Sequence, residues 1–297
     1  MNYYNEIKEK LINSEIYEKV KDYSKERNKV ITYYEIGKLL SEAGKHYGDN
    51  IIDEYSKRLI IEVGKKYNKR TLFRMKQFYN TFNTLKVSTL STYLTWSHYS
   101  ELLQFNDIDE VNYYIKIIEE QNLSVRQLRL KIKNKEYERL PEKTKEKLVN
   151  KEESNIVDFV KNPILIKNRY SYKDINEKVL QQLILEDIDN FLNELGTGFC
   201  YIKNEYKIKI GDNYNYIDLL LFNYEYNCFV VVELKITKLK KEYIGQIQVY
   251  MNYIDRNLKN INQEKTIGII IVRKDNKFIM EYCSDKRIFE TTYKISS

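Results

Sequence analysis

Two short apolar runs on either side of a polar break, within Tyr216–Lys235, constrain the fold more than any other stretch of the chain. The first run reads YIDLLLF, the second reads CFVVVELK, and the break between them spans Asn223–Asn227. Runs rich in Val, Leu, Ile and Phe that flank a short turn are typical of a buried β-hairpin. We therefore predict two adjacent core strands in the second half of the chain.

Charged residues interrupt both predicted strands, and packing alone does not explain them. Asp218 lies in the first strand, while Glu233 and Lys235 lie at the end of the second. An isolated buried carboxylate is costly unless a cation or hydrogen bonds compensate it. Glu233 and Lys235 point to the same face of a strand because side chains alternate. If the hairpin places Asp218 on that face, two carboxylates and an ammonium group converge. An ordinary strand end with one salt bridge is the alternative interpretation.

Such a convergence suits phosphodiester chemistry. Two carboxylates can hold Mg²⁺, a cation that prefers oxygen ligands and keeps several water molecules. A bound divalent metal lowers the pKa of a water molecule and stabilises charge on a phosphoryl oxygen. The lysine can orient that water or neutralise the developing charge. An aspartate followed by Glu-x-Lys on the next strand resembles the PD-(D/E)XK nuclease superfamily.

Length and composition agree with a two-domain protein that has a polyanionic partner. A chain of 297 residues can form two domains, each with its own core, and its formal net charge is +7. The three cysteines (Cys200, Cys228 and Cys283) are widely spaced, which predicts neither a disulfide framework nor a zinc site. No apolar run has the length of a transmembrane helix, and the stretch MNYYNEIKEK is unlike a signal peptide. We expect a cytoplasmic protein with no membrane association and no nucleotide cofactor.

Helical periodicity dominates residues 1–142, for which we predict an all-helical domain. Asn68 is a good N-cap for the helix KRTLFRMKQFYNTF, and a preceding helix and turn give a helix-turn-helix-like element. Opposite its apolar stripe of Leu72, Met75, Tyr79 and Phe82, this helix carries three polar residues that could contact DNA: Arg70, Arg74 and Gln77. A solvated basic face is the alternative interpretation.

Pro141 and a charged run mark a predicted linker over residues 143–155, and the second domain is predicted over residues 156–297. Ser171 and Asp174 should open a long helix that Gly196 ends. Asp187 falls inside the apolar stripe of this helix, so we consider it a third metal ligand. A paired or capped buried aspartate is the alternative.

The rest of the second domain reads as a mixed sheet. Two strands, FCYIK and EYKIKIG, precede the hairpin; a helix and the apolar strand TIGIIIV follow it, and KFIMEYC reads as a final strand. A strand–helix–strand unit of this length predicts a parallel crossover. Gln246 and Tyr250 share a face of the crossover helix. Three lysines lie near its start, where phosphate oxygens would approach: Lys238, Lys240 and Lys241.

The order of these parts resembles the YhcG-like family, in which a helical N-terminal domain precedes a PD-(D/E)XK domain with a Gln-x-x-x-Tyr extension. The similarity extends over most of the chain. It is carried by YNKRTLFRMKQFY, LTWSHYSELL, LSVRQLRLKI, NFLNELGTGF, YIDLLLF, CFVVVELK and YIGQIQVY. The fold class that it implies is α+β: an all-helical N-terminal domain, then a restriction-endonuclease-like mixed β-sheet flanked by helices.

The resemblance also implies roles for individual residues. Asp218 and Glu233 would bind Mg²⁺ or Mn²⁺, Lys235 would assist the nucleophilic water, and Gln246 and Tyr250 would organise the site or the DNA backbone. Glu205 stands where the family usually has glutamine, and so adds a negative charge near the site.

The expected function is that of a bacterial, metal-dependent DNA endonuclease acting as a homodimer or larger homo-oligomer, with the helical domain binding DNA or mediating assembly. The alternative is a non-cleaving DNA-binding or assembly subunit that retains the nuclease fold. Salt-dependent DNA binding without cleavage would distinguish the two.

Overall fold

The computed structural model describes residues 2–19, 25–48, 50–83, 90–150 and 152–296. The chain divides into two compact units, Met1–Tyr137 and Glu138–Ser297. No helix among the described residues has the length and apolar character needed to cross a membrane.

The first unit is helical, as the periodicity predicts. Asn68 begins the fourth helix by accepting the backbone N–H of Thr71 at 3.1 Å, which confirms the predicted cap. The helices of this unit are α1 Tyr3–Lys19, α2 Lys25–Tyr47, α3 Ile51–Glu62, α4 Lys69–Phe82, α5 Trp96–Leu102, α6 Ile108–Gln121 and α7 Val125–Lys133.

Close contact between α2 and α4 is the main packing feature of the first unit. A Cβ atom placed on Gly37 of α2 would lie 2.0 Å from the backbone oxygen of Met75, so only glycine allows the two helices to approach this closely. The buried stripe of α4 contains Phe78 rather than the predicted Tyr79, which is half-buried. Phe78 takes the position because it follows Met75 by three residues and precedes Phe82 by four.

The second unit is a six-stranded mixed sheet with helices on both faces. The strand order is β1-β6-β5-β4-β3-β2; β2, β3 and β4 are antiparallel, whereas β4, β5, β6 and β1 are parallel. Its elements are α8 Glu142–Asn150, β1 Ile164–Lys167, α9 Glu177–Glu186, α10 Ile188–Leu195, β2 Phe199–Ile210, β3 Asn213–Asn223, β4 Cys228–Lys238, α11 Lys241–Asn257, β5 Ile267–Lys274, α12 Lys277–Glu281 and β6 Ile288–Ser296.

Successive residues of the central strands are buried alternately in two separate cores, one on each face of the sheet. Val230, Val232 and Leu234 of β4 belong to the cluster that includes α9 and α10, whereas Val231 belongs to the cluster that includes α11. Such strands read as continuous apolar runs because both faces are covered. The predicted hairpin β3–β4 and the parallel crossover β4–α11–β5 are both present.

The predicted linker is not an extended segment. Residues 142–150 form α8, and the two units divide between Tyr137 and Glu138. The hydroxyl of Thr144 donates to the backbone oxygen of Asp158 at 2.6 Å, and Lys147 pairs with the Asp158 carboxylate at 2.8 Å. A charged run suits the exposed side of a short helix as well as a linker, and composition alone does not separate the two.

Other element boundaries also differ from the sequence-based prediction. The long helix predicted from Ser171 begins instead at Glu177, after the N-cap Asn176, and it is interrupted at Asp187 (φ −137°, ψ 50°). The two strands predicted before the hairpin are one strand, β2, whose register with β3 shifts between Tyr201 and Lys203.

The end of the chain was also predicted wrongly. The segment KFIMEYC contains the short helix α12, and the last strand of the sheet is β6, which pairs with β5 and with the unpredicted strand β1.

Candidate active site

Asp218 of β3 lies beside β4, just past the point where the backbone pairing of the two strands ends. The β3–β4 ladder ends where Leu219 lies opposite Val232. Beyond this point the Asp218 side chain, rather than a backbone carbonyl of β3, bonds to β4. Its Oδ2 accepts the N–H of Leu234 at 2.7 Å. The carboxylate is therefore directed to β4, on which Glu233 and Lys235 lie.

Glu233 and Lys235 form a buried ion pair. The Lys235 ammonium lies 3.2 Å from Oε2 of Glu233, and the Glu233 side chain is only 1% exposed. The same ammonium lies 3.9 Å from Oε2 of Glu177, at the start of α9. The other oxygen of Glu233, Oε1, is buried and has no hydrogen-bond partner among the described residues.

Burial and nearby negative charges raise the pKa values of both carboxyl groups. Burial raises the pKa of Glu233 to about 8, with a further contribution from the charge of Asp218. Burial also raises the pKa of Asp218; the Leu234 N–H and Lys235 oppose this effect, while the charges of Glu177 and Glu205 add to it. Burial alone would lower the pKa of Lys235, but the surrounding carboxylates outweigh burial and raise it. The lysine thus stays charged.

This donor set fits a divalent cation. The unpaired Oε1 of Glu233 is a buried acceptor without a donor, and such an atom is costly unless something satisfies it. Among the described residues no group of three or more His, Cys, Asp and Glu side chains forms a metal cluster. Mg²⁺ is usually held by one or two carboxylates, with water and substrate oxygens completing its shell. Asp218 and Glu233 are two such carboxylates.

Asp187, predicted as a third metal ligand, lies elsewhere. Its carboxylate pairs with Lys167 at 3.1 Å and with Arg169 at 3.0 Å. It caps the carboxyl end of α9, whereas Glu177 begins that helix, and the helical rise separates the two by roughly 15 Å. The alternative that the sequence left open was a paired or capped buried aspartate; the structure supports the pairing, and the side chain is half-buried.

Tyr250 of α11 faces the carboxylate pair. Its side chain is buried, and Nε2 of Gln246 donates to its hydroxyl at 3.0 Å. Burial raises the pKa of Tyr250; the Gln246 bond lowers it, and the charges of Glu233 and Asp218 raise it further. The two residues of the Gln-x-x-x-Tyr pattern are therefore bonded to one another, with the tyrosine within electrostatic reach of the site.

The three predicted lysines lie at or just past the carboxyl end of β4. Lys238 ends the strand, Lys240 is the N-cap residue of α11, and Lys241 begins the helix; all three are exposed. Tyr243, one turn into the helix, lies under the Lys235 ammonium, which is 5.4 Å from the ring centroid.

Sequence reasoning missed two residues of α9 that contact this group. Glu177 pairs with Lys235, and Nε2 of Gln181 donates to the backbone oxygen of Asp218 at 2.9 Å. The sequence signal that could have located them is Asn176, a residue type typical of N-caps. In the structure its Oδ1 caps the helix by accepting the N–H of Val179 at 2.9 Å. Reading Asn176 as the N-cap would have placed Glu177 and Gln181 on the first turns of α9.

In the first unit, the predicted DNA-contacting residues of α4 differ in their surroundings. Arg70 and Arg74 are exposed. Gln77 is engaged within the unit, since its Nε2 donates to the backbone oxygen of Leu103 at 2.6 Å. That bond satisfies a carbonyl at the end of α5 and occupies the donor group that was expected to reach DNA.

Comparison with known proteins gives matches to both units. The family described as DUF1016 N-terminal domain matches residues 9–139, and the family described as YhcG PDDEXK nuclease domain matches residues 157–296. A protein of Escherichia coli (strain K12), named "Putative nuclease YhcG", is 25% identical over 312 aligned residues, which cover 89% of this chain and 79% of that protein.

Two solved structures show weaker similarity. A repair endonuclease from Pyrococcus abyssi is 18% identical with a TM-score of 0.30, over 41% of this chain and 48% of that one. The EndoMS-dsDNA2 complex is 17% identical with a TM-score of 0.29, over 44% of this chain and 48% of that one. This chain thus spans about half the length of either structure. On the two family matches and the similarity to the E. coli protein, the chain belongs to the YhcG-like family, with a DUF1016 N-terminal domain followed by a PD-(D/E)XK nuclease domain.

Proposed function

We propose that this protein is a DNA endonuclease that hydrolyses phosphodiester bonds and requires Mg²⁺ or Mn²⁺. One observation carries the proposal: Glu233 is a fully buried carboxylate with an unsatisfied oxygen, and it lies beside Asp218 and Lys235. A structural salt bridge explains the Lys235 contact but leaves Oε1 of Glu233 without a partner. A cation held by Asp218 and Glu233 accounts for both carboxylates.

The divalent cation, when bound, supplies positive charge that activates water and stabilises the phosphoryl oxygen. The chain's own residues supply orientation. Lys235 is held between Glu233 and Glu177, and its raised pKa keeps it charged, so that it can donate a hydrogen bond to a phosphate oxygen or orient the attacking water. Gln246 fixes the Tyr250 hydroxyl close to this group, where it can donate to the DNA backbone.

DNA contacts away from the carboxylates are part of the same proposal. Lys238, Lys240 and Lys241 lie at the start of α11, where the positive end of the helix dipole also favours phosphate. In the helical domain, the exposed side chains of Arg70 and Arg74 would contact the DNA backbone. Cutting both strands of a duplex favours a homodimer or larger homo-oligomer, and a DNA substrate favours action in the bacterial cytoplasm.

Plasmid cleavage tests the proposal. Supercoiled plasmid is incubated with the wild-type protein in Mg²⁺ or Mn²⁺, with and without EDTA, and with the variants Asp218→Asn, Glu233→Gln and Lys235→Met. We expect each substitution to reduce the cleavage rate by roughly 100-fold or more, because each removes a group that stabilises charge at the reacting phosphate. Glu264→Gln, an exposed carboxylate just before β5, should cut at the wild-type rate.

Two results would contradict the proposal. Equal cleavage by all three site variants would mean that another group performs the reaction. Salt-dependent plasmid binding without any cleavage in either metal would instead favour the alternative, a DNA-binding or assembly subunit that retains the nuclease fold.

A further inference from the structure

A basic pocket lies on the second unit beside the candidate active site. It has a volume of about 430 Å³ and is lined by Lys173, Ile175, Arg273, Tyr293, Lys294 and Ile295. No acidic residue is among these lining residues, and in the part of the chain that the structure describes none of the three cations forms an ion pair with a carboxylate. Three cations that form no ion pair around one concavity favour an anionic ligand.

The pocket lies at the same end of the sheet as the Glu233–Lys235 pair. Val272 of β5 lies opposite Lys235 of β4, and Arg273 is the next residue along the strand. One strand spacing and one residue rise therefore separate Arg273 from Lys235, or roughly 6 Å between their Cα atoms. Strand alternation places Arg273 and Tyr293 on the α9 face of the sheet and Glu233 and Lys235 on the α11 face, so the pocket and the carboxylate pair meet at the edge where β4 and β5 end.

Electrostatic coupling supports the same proximity. Burial raises the pKa of Tyr293, a residue of the pocket wall; the charge of Arg273 lowers it and that of Glu177 raises it. Glu177 in turn pairs with Lys235. A single carboxylate thus lies within reach of both the pocket and the catalytic lysine.

The loop that carries Lys173 is held in place. Nδ2 of Asn168 donates to the backbone oxygen of Tyr172 at 2.9 Å, and the Tyr172 N–H donates to Oδ1 of Asn168 at 2.9 Å. Two reciprocal bonds close this turn immediately before Lys173, and Ile175 packs against the core two residues after it. The pocket is therefore built on ordered backbone on both sides.

We propose that this pocket binds a backbone phosphate of the DNA strand that is cut, about one or two nucleotides from the scissile phosphate. The inference rests on the proposed function and extends it, because it assigns Lys173 and Arg273 to substrate binding and sets the direction in which the strand leaves the site. Lys and Arg around a polar concavity match phosphate oxygens, which Arg can bind in a bidentate manner. An acidic protein partner would not require the pocket to adjoin Lys235.

Binding of a fluorescein-labelled 24-base-pair duplex to the full-length protein tests this inference. Glu233→Gln serves as the parent, so that binding is measured without cleavage, and Lys173→Gln and Arg273→Gln are added singly and together. The dissociation constant is measured by anisotropy between 50 and 200 mM NaCl. Lys265→Gln and Lys286→Gln in the same parent are matched controls, because both residues are exposed and precede β5 and β6, at the opposite edge of the sheet.

Each pocket substitution should weaken binding roughly fivefold at 0.1 M salt. It should also reduce the magnitude of the slope of log affinity against log salt by about 1, and the double variant should reduce that magnitude by about 2. The controls should bind within about twofold of the parent. Pocket variants that keep the parent's affinity and slope would overturn the inference. So would an effect seen only with 5′-phosphorylated duplex and not with 5′-hydroxyl duplex, because the pocket would then bind a strand end.

The binding result is independent of cleavage. A reduced slope in a protein that never cuts plasmid would contradict the nuclease proposal and leave the phosphate pocket in place. Plasmid cleavage by the wild type with an unchanged slope in the pocket variants would contradict only the pocket. Thermal unfolding of each variant, expected to match the parent because the substituted side chains are exposed, shows that any loss of binding comes from the missing charge.

Discussion

Like Asp218 and Glu233, Glu290 is a carboxyl group on the sheet whose environment disfavours ionisation. It lies opposite Ile270 of β5, which itself lies opposite Glu233 of β4, so an apolar residue separates the two carboxyl groups in one row of the sheet. Burial raises the pKa of Glu290 to about 7; the Asn276 N–H and Lys238 lower it, and the charge of Asp275 raises it. The folded protein therefore favours the protonated form.

The pKa of Glu290 predicts a loss of stability as pH rises. Because the folded-state pKa is about 7 and the ordinary value is 4.5, the folded state binds more protons than the unfolded state between these values, and the free energy of unfolding falls across that window. The full difference would be ~3 kcal/mol, and partial exposure reduces it to roughly 1 to 2 kcal/mol. Urea unfolding of wild type and Glu290→Gln at pH 4.5 and 7.5 measures it.

The wild type should lose stability relative to Glu290→Gln as pH rises, whereas the exposed control Glu281→Gln should follow the wild type. Parallel pH dependence in wild type and Glu290→Gln would show that Glu290 ionises in the folded state as readily as in the unfolded chain.

At the residue scale, the proximity of charged residues that interrupt strands was predictable, whereas the surroundings of Asp187 on a helix were not. Asp218, Glu233 and Lys235 stand out because strand alternation fixes their face and leaves them little freedom. Asp187 matched an apolar helical stripe, but the helix is interrupted at Asp187 itself, so the periodicity does not continue through it. Its partners Lys167 and Arg169 lie on and just after β1, a strand too short to recognise from sequence.

At the scale of elements, the close contact between α2 and α4 predicts that a single methyl group added at Gly37 destabilises the protein. In Gly37→Ala the new Cβ would lie 2.0 Å from the Met75 backbone oxygen, so the helices must separate. We expect a loss of about 2 to 3 kcal/mol in the free energy of unfolding, at the upper end for overpacking because the obstacle is backbone. Chemical denaturation followed by circular dichroism measures the loss.

Gly245→Ala is the matched control, because Gly245 also lies within a helix but a Cβ there would meet no atom within 4 Å. It should gain roughly 0.5 to 1 kcal/mol from higher helix propensity. If both alanine variants were stabilised, α2 and α4 would not approach as closely as the structure has them.

Long elements were predicted well, and short ones were not. The crossover helix α11 and strand β5 each carry enough periodic residues to identify them. The segment KFIMEYC is too short for its period to be decided: Ile279, Met280 and Cys283 pack against the core at helical spacing, while Phe278 and Tyr282 are 76% and 84% exposed. A strand interpretation placed all of these apolar residues in the sheet and so displaced the true last strand, β6.

At the scale of the whole molecule, a buried ion pair joins the first residues of the second unit to the rest of that unit. The Arg139 guanidinium pairs with the Glu194 carboxylate; the two side chains are 10% and 6% exposed. Arg139 also donates to the backbone oxygen of Pro163 at 2.8 Å, and Glu194 accepts the N–H of Leu165 at 2.9 Å. These contacts bind the segment before α8 to α10 and β1. A pair so distant in sequence gives no local signal, so composition alone did not attach residues 138–155 to the second unit.

This pair predicts where the nuclease domain can be cut from the chain. A fragment 138–297 should fold, whereas a fragment 156–297 loses Arg139 and α8 and leaves Glu194 as a buried, uncompensated charge, at an expected loss of about 3 to 5 kcal/mol. Arg139→Met within fragment 138–297 isolates the ion pair from the loss of α8 and should account for most of the difference. Urea unfolding measures all three proteins. Equal unfolding midpoints for the two fragments would mean that residues 138–155 contribute nothing to the domain, and would place its start at the predicted residue 156.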